Sequence, residues 1–321
     1  NYNGQIGLPL TIFTLDSSYQ VAILEMGISE LGEMDRLEKI AKPTIGVITN
    51  IGLSHIENFK STEITCSEKV KIIKGKDKKL YVNGDSPLLA SAKTDAQVIK
   101  FGVNGSYPYR CEDVFSTSTS TSFVLCTPEL KDNITIPCLG MHNVYNALAA
   151  IAVAMDMGLH LEDIKKGLLN FKNAGMRQQI SKIGDITLID DSYNASPDSV
   201  KSSVGILKNL PSIGKNIVVI ADMLELGVRS EEIHFETGRY IAMERVDILI
   251  TVGKDSRHLS KGAMSANQNI ISYHCENNQE AIKTLFEIIT PNDKILIKGS
   301  RGMHTEEIVN AIKNEYEKTT L

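Results

Sequence analysis

The sequence predicts an α/β protein of two domains, each built on its own sheet, the first mixed and the second mostly parallel. Three observations carry the prediction. The chain has 321 residues, beyond the roughly 100–200 of one ordinary domain. Its second half alternates short β-branched runs with helical stretches, the pattern of an open parallel sheet covered on both faces. Its first half breaks that rhythm between residues 79 and 140, where short strands follow one another across turn residues and mark a partly antiparallel region.

In chain order, YQVAILEMG (19–27) reads as an apolar strand ending in an acid. SELGEMDRLEKIAK (29–42) opens on an N-cap residue and sets Leu31, Met34, Leu37 and Ile40 at helical spacing before Pro43 stops it. TIGVITNIG (44–52) is β-branched and continuous enough for burial on both faces, so the three make a β-α-β unit. Next come KLYVNGDS, QVIKFGV, YRCEDVF, TSFVLCT and DNITIPCLG as short strands, with the low-complexity STSTSTS (116–122) as an exposed hairpin connection. HNVYNALAAIAVAMDMG (142–158) is a long helix closed by Gly158, and 161–170 is a short one. A boundary near Ala174 and Gly175 gives domains 1–174 and 175–321. Beyond it, strands at 186–190, 216–221, 247–252, 270–273 and 294–298 alternate with helices at 197–209, 230–243, 256–266, 278–289 and 304–317.

Composition narrows the function. Hydrophobic content of 42% and charged content of 23% are ordinary globular values. No run reaches the roughly 18 apolar residues of a membrane span, and NYNGQIG lacks a signal peptide's basic and apolar regions. A net charge of −5 argues against bulk nucleic-acid binding. The five cysteines are scattered and never spaced CxxC, which predicts reduced thiols, no zinc site and a cytoplasmic location.

Ligands of open α/β sheets bind beyond the carboxyl ends of strands. Glu25 ends the first expected strand and His55 follows the second. A carboxylate and an imidazole at neighbouring strand ends suit a divalent cation, although such residues also serve as caps. The lysine run Lys69, Lys71, Lys74, Lys76, Lys78 and Lys79 reads mainly as a solvated helix end and basic loop. Asn143 and Asn146 share one face at a helix start beside His142; they suit either an adenine edge or N-capping. In DDSYNASPDS (190–199), Ser196 is the N-cap and Pro197 a first-turn proline, while Asp190, Asp191, Tyr193 and Asn194 exceed what capping needs. Arg177, beside the expected hinge, is either a surface residue or an arm able to reach a phosphate across a cleft. Neither GxxxxGK[ST] nor GxGxxG occurs anywhere in the chain.

Taken together, NYNGQIGLPLT (1–11), ILEMGISELGEMDRL (23–37), ITNIGLSHIENF (48–59), GMHNVYNALAA (140–150), DDSYNASPDSV (190–200), ADMLELG with His234, and ILIKGSRGM (295–303) resemble the Mur ligase family. They span nearly the whole chain in the family's order. The resemblance implies a central nucleotide-binding domain with a mixed sheet and a Rossmann-like C-terminal domain. Complete members carry an N-terminal domain and a phosphate loop before the NYNGQIG match, so the chain is expected to be a truncated ligase, inactive alone. By matching position, Glu25 and His55 would be Mg2+ ligands, joined by Lys69 when carbamylated. His55, Lys69 and Arg177 form the implied catalytic set. Asn143 and Asn146 would meet the adenine, Arg177 the ATP phosphates, and Asp191 with Tyr193 the ribose and base. Asn194, Ser196, Lys298, Ser300 and Arg301 would face the incoming dipeptide or the acceptor. One departure is Lys60, where the family usually has glycine.

The activity so implied is ATP- and Mg2+-dependent amide ligation through an acyl phosphate. The DDSYNA, DMLELG and KGSRGM stretches favour the branch that adds D-alanyl-D-alanine to UDP-N-acetylmuramoyl-tripeptide, in a cytoplasmic monomer. The alternatives are another amide ligase, of the single-amino-acid or folylpolyglutamate type, and a non-catalytic nucleotide-binding module. The missing glycine fingerprint disfavours a nicotinamide oxidoreductase.

Overall fold

The computed structural model describes residues 2–53, 55–211 and 213–319. The chain divides into two compact units. The first comprises Asn1–Phe115, Thr121–Pro137 and His142–Asn170; the second comprises Phe171–Leu321 with Ser116–Ser120 and Cys138–Met141.

The first unit runs α1 (Gly7–Phe13), α2 (Glu33–Ala41), β1 (Ile45–Ile48), α3 (Ile56–Phe59), α4 (Thr62–Lys69), β2 (Lys79–Asn83), α5 (Pro87–Ala90), β3 (Gln97–Gly102), β4 (Tyr109–Ser116), β5 (Thr121–Cys126), β6 (Lys131–Ile136), α6 (Met141–Asp156) and α7 (Leu161–Leu169). Its strands form one sheet in sequence order. The pairs from β1 through β4 are parallel, and β5 runs antiparallel to β6, so the sheet is mixed as expected. Helix α6 buries Val144, Ala147, Leu148, Ile151 and Ala152, a stripe at i, i+3, i+4, i+7 and i+8. Gly158 closes it in the left-handed region at φ 86°.

The stretch 19–27 is not a strand. A strand exists only where a neighbour takes its backbone bonds, and β1 pairs with β2. Here the Gly27 N–H goes instead to the Asn3 carbonyl at 2.8 Å, and Ile23 is 96% exposed. The expected β-α-β unit therefore reduces to α2 and β1. Helix α2 also begins at Glu33 rather than Ser29. The Glu33 carboxylate turns back to accept the N–H groups of Ser29 (2.7 Å) and Glu30 (3.0 Å), which holds those residues outside the helix.

The second unit runs β7 (Gln179–Ile183), β8 (Ile186–Asp191), α8 (Pro197–Asn209), β9 (Asn216–Ala221), α9 (Ser230–Met243), β10 (Ile248–Val252), α10 (Arg257–Ala266), β11 (Ile271–Cys275), α11 (Asn278–Ile288), β12 (Lys294–Lys298) and α12 (Glu306–Thr319). The sheet order is β11-β10-β9-β12-β8-β7, parallel except for β7. Alternate residues serve opposite faces. Ile186, Leu188, Ile217, Val219, Ile295 and Ile297 pack with Ala281 and Leu285 of α11 and Ile308 and Val309 of α12. Ile189, Val218, Ile220, Leu249 and Leu296 are buried on the other side, where α8 contacts α9 and α9 contacts α10.

Helices α9 and α10 touch backbone to backbone. A Cβ on Gly238 would stand 2.0 Å from the Leu259 carbonyl oxygen, and one on Gly262 would stand 2.0 Å from that of Phe235. All five cysteines are buried.

The topology places the site of this unit. After β8 and β9 the chain crosses to the α8–α10 side, whereas after β12 it turns to the α11–α12 side. The carboxyl end of β12, between β8 and β9, is therefore the topological switch point, where loops part and leave a crevice.

Candidate functional site

At that switch point the register sets Lys298 directly across from Asp191. Asp191 is 5% exposed and Lys298 2%. The Lys298 ammonium lies 2.5 Å from Asp191 Oδ2 and also donates to the Asn194 carbonyl at 2.9 Å. Asp191 accepts two further bonds, from the Ser203 hydroxyl at 2.5 Å and the Gln178 N–H at 3.2 Å. Burial pushes the Lys298 pKa down, and Asp191 opposes that push.

Around this pair stand the other expected residues. The Tyr193 N–H donates to the Met176 carbonyl at 3.0 Å, and the Arg177 guanidinium lies 4.1 Å from the Tyr193 ring centroid, a cation–π stack. Met176 (φ 60°) and Gln178 (φ 48°) are both left-handed. Arg301, half exposed, pairs with Glu306 at 2.8 Å and approaches the Met176 sulfur at 3.9 Å. Ser300 accepts the Leu224 N–H at 2.9 Å. Ser196 is the N-cap of α8, in a capping box with Ser199, and its hydroxyl accepts the Ser199 N–H at 3.4 Å. Asn194 keeps its side chain exposed. The structure thus gathers Arg177, Asp191, Tyr193, Lys298 and Arg301 around residues 176–178, and engages Ser196 in helix capping.

Sequence reading gave no role to three members of this neighbourhood, two of which, Asp222 and His234, it met only as part of the ADMLELG match. Ser203 shares the buried face of α8 with Val200, Val204 and Leu207, and a hydroxyl within that apolar stripe was the available signal. Asp222 accepts the N–H groups of Lys254 (3.1 Å), Asp255 (3.1 Å) and Ser256 (2.7 Å), locking the turn after β10. His234 is fully buried: its Nε2 accepts the Met223 N–H at 3.0 Å, and its Nδ1 lies 2.7 Å from the Ser230 carbonyl, to which it donates. That tautomer is neutral, and burial pushes the imidazole pKa below its ordinary value.

In the first unit, Glu25 is exposed and accepts the Asn3 side-chain amide at 2.8 Å. His55, left-handed at φ 58°, precedes α3. Lys60, where the resemblance expects glycine, adopts φ 67°, a conformation that L side chains enter at a cost. Lys69 ends α4, and burial pushes its pKa down, which enlarges the fraction of neutral amine. Of the other lysines, Lys71 and Lys74 pair with Asp35 at 3.2 and 2.7 Å, and Lys79 pairs with Asp156, so these three are held in ion pairs. Asn143 is 8% exposed, while Asn146 one turn on is exposed and donates to Asn143 Oδ1 at 3.5 Å. Among the described residues no three His, Cys, Asp or Glu side chains gather to hold a metal. The set Glu25, His55 and Lys69 contains two such residues and needs the lysine to acquire an anionic oxygen.

Comparison with known proteins agrees with this architecture. The Mur ligase middle domain matches residues 1–154, and the Mur ligase glutamate ligase domain matches residues 176–301. The chain belongs to the Mur ligase family. Within the family, it is 38% identical over 312 residues to the UDP-N-acetylmuramoyl-tripeptide–D-alanyl-D-alanine ligase of Bacillus subtilis (strain 168), covering 96% of this chain and 68% of that protein. The crystal structure of MurF from Acinetobacter baumannii superposes with a TM-score of 0.89 at 29% identity, covering 98% of this chain and 69% of the other. The MurF ligase of Thermotoga maritima, solved in complex with ADP, shares the fold at a TM-score of 0.86 and 24% identity, covering 99% and 73%. No helix among the described residues is long and apolar enough to cross a membrane.

Proposed function

We propose that this chain supplies nucleotide-, metal- and substrate-binding residues of an ATP-dependent ligase that joins D-alanyl-D-alanine to UDP-N-acetylmuramoyl-tripeptide. The observation that carries the reading is the Arg177–Tyr193 stack at the carboxyl end of β8, beside the topological switch point at which open α/β sheets bind ligands. It offers a fixed cation beside an aromatic face, which suits phosphates beside a nucleoside. The names of the relatives supply the substrates.

A carboxylate is a poor electrophile, and its oxygen is a poor leaving group. Transfer of the ATP γ-phosphoryl group to it gives an acyl phosphate and ADP. The dipeptide amine then attacks, and the tetrahedral intermediate expels phosphate. Arg177 offsets charge on the phosphoryl oxygens, and catalysis rests on positioning and charge neutralisation. Asp191 and Tyr193 serve the ribose and base, and Asn143 and Asn146 the adenine. Glu25, His55 and Lys69 would hold the magnesium: burial lowers the Lys69 pKa and so enlarges the neutral fraction able to combine with CO2, and the resulting carbamate would add an oxygen anion to a carboxylate and an imidazole. Bound there, Mg2+ would supply further neutralisation of the phosphate charge.

An amine panel on the whole gene product, read as ADP release in the presence of UDP-N-acetylmuramoyl-tripeptide, tests the reading. D-Alanyl-D-alanine is expected to be the preferred amine, and Arg177→Ala to lower kcat/KM by about a hundredfold or more. Preference for a single L-amino acid, or nucleotide binding with no ADP release, would overturn it.

A further inference from the structure

We infer that Lys298 is a positioning residue: through Asp191 and the Asn194 carbonyl, its buried ammonium fastens the 176–178 segment that carries Arg177 to the strand-end turn that carries Tyr193. This rests on the reading above, in which Arg177 serves the nucleotide. At the end of KGSRGM's strand, a lysine suggests a cation reaching for substrate. The structure gives it no such reach, since its side chain is enclosed and its donors are directed inward.

The tether can be followed atom by atom. Asp191 Oδ2 takes Lys298 and Ser203, and Asp191 Oδ1 takes the Gln178 N–H at 3.2 Å. The Tyr193 N–H binds the Met176 carbonyl at 3.0 Å. Arg177 therefore sits between two residues that are each bonded to the 191–193 turn, and its guanidinium stacks on the Tyr193 ring. Both flanking residues are left-handed, a conformation that non-glycine residues hold only when surrounding bonds compel it. Remove the ammonium and Asp191 becomes a lone buried charge. It must then draw in water or take up a proton, and either response weakens the bond to Gln178.

Two readouts separate positioning from substrate contact. In the whole gene product, Lys298→Met is expected to raise the KM for ATP about tenfold, leaving that for D-alanyl-D-alanine unchanged. Limited trypsin digestion is expected to cut after Arg177 about tenfold faster, because cleavage follows the population of the released segment. The double variant Lys298→Met, Asp191→Asn leaves no orphan charge; if the single variant fails to fold it decides the question by proteolysis alone, since Asp191 itself serves the nucleotide, and faster cleavage after Arg177 is again expected. A raised KM for D-alanyl-D-alanine with unchanged cleavage would overturn the inference, as would no change in either. Proteolysis needs no turnover, so a protein lacking ligase activity would sink the proposed function while still deciding the role of Lys298.

Discussion

His234 shows how one side chain can bind a loop to a helix and tie both to pH. Its two ring nitrogens join the chain just after β9 to the first turn of α9, and only the neutral imidazole can accept the Met223 N–H. Burial holds its folded pKa below the ordinary 6.5. Below that pH the unfolded chain takes up a proton that the folded chain refuses, so ν_U exceeds ν_N and stability rises with pH. The contribution is therefore complete above about 6.5 and is lost as pH falls through the folded pKa. Urea unfolding at pH 7.5 and 5.5 should show a larger acid loss for the parent than for His234→Gln. Equal losses would mean that the imidazole is not held neutral. Asn143 and Lys60 show what residue-level reading can and cannot see. The amide at the start of α6 was visible as a candidate, but its burial was not. Lys60 was visible as a departure, and the structure gives it a physical meaning at φ 67°.

Element by element, the legible parts were those whose pattern is complete within themselves. The strands and helices of the second unit were foreseen to within a few residues because β-branched runs and i, i+3, i+4 stripes are local facts. The stretch 19–27 misled because an apolar run reports a tendency, and pairing needs a neighbour that the run does not name. Strand β7 went unseen because QISKI is half exposed and short, and its place depends on β8. How two elements meet is equally hidden, and the α9–α10 contact makes it testable. Alanine favours a helix over glycine by about 1 kcal/mol. At Gly238, however, the new methyl would meet a carbonyl oxygen, and overpacking of about 1–3 kcal/mol or more should win. Gly205 of α8 has nothing within 4 Å of its would-be Cβ. Urea midpoints should fall for Gly238→Ala and rise slightly for Gly205→Ala; matching signs would refute the contact.

Across the whole molecule, the candidate site was legible as a roster and not as a set of bonds. Arg177, Asp191 and Tyr193 are near neighbours in sequence, but Lys298 lies 107 residues beyond Asp191, and only the sheet order that inserts β12 beside β8 brings that lysine opposite the aspartate. Assigning Lys298 to a substrate followed from its place in a motif; enclosing it followed from a register that no single segment encodes. The buried sulfurs have a consequence of their own. Cys111 and Cys126 lie on strands of the first sheet and Cys275 on the second, and burial raises the Cys111 thiol to about 11 and moves Cys275 upward as well. A thiol that must be exposed before it can ionise reacts at the pace of its surroundings. Timed alkylation, mapped peptide by peptide, should therefore run as two stopwatches, one for each lobe, with Cys111 and Cys66, which burial also pushes upward, keeping common time and Cys275 its own. A single shared rate under all urea concentrations would show that the lobes come apart together.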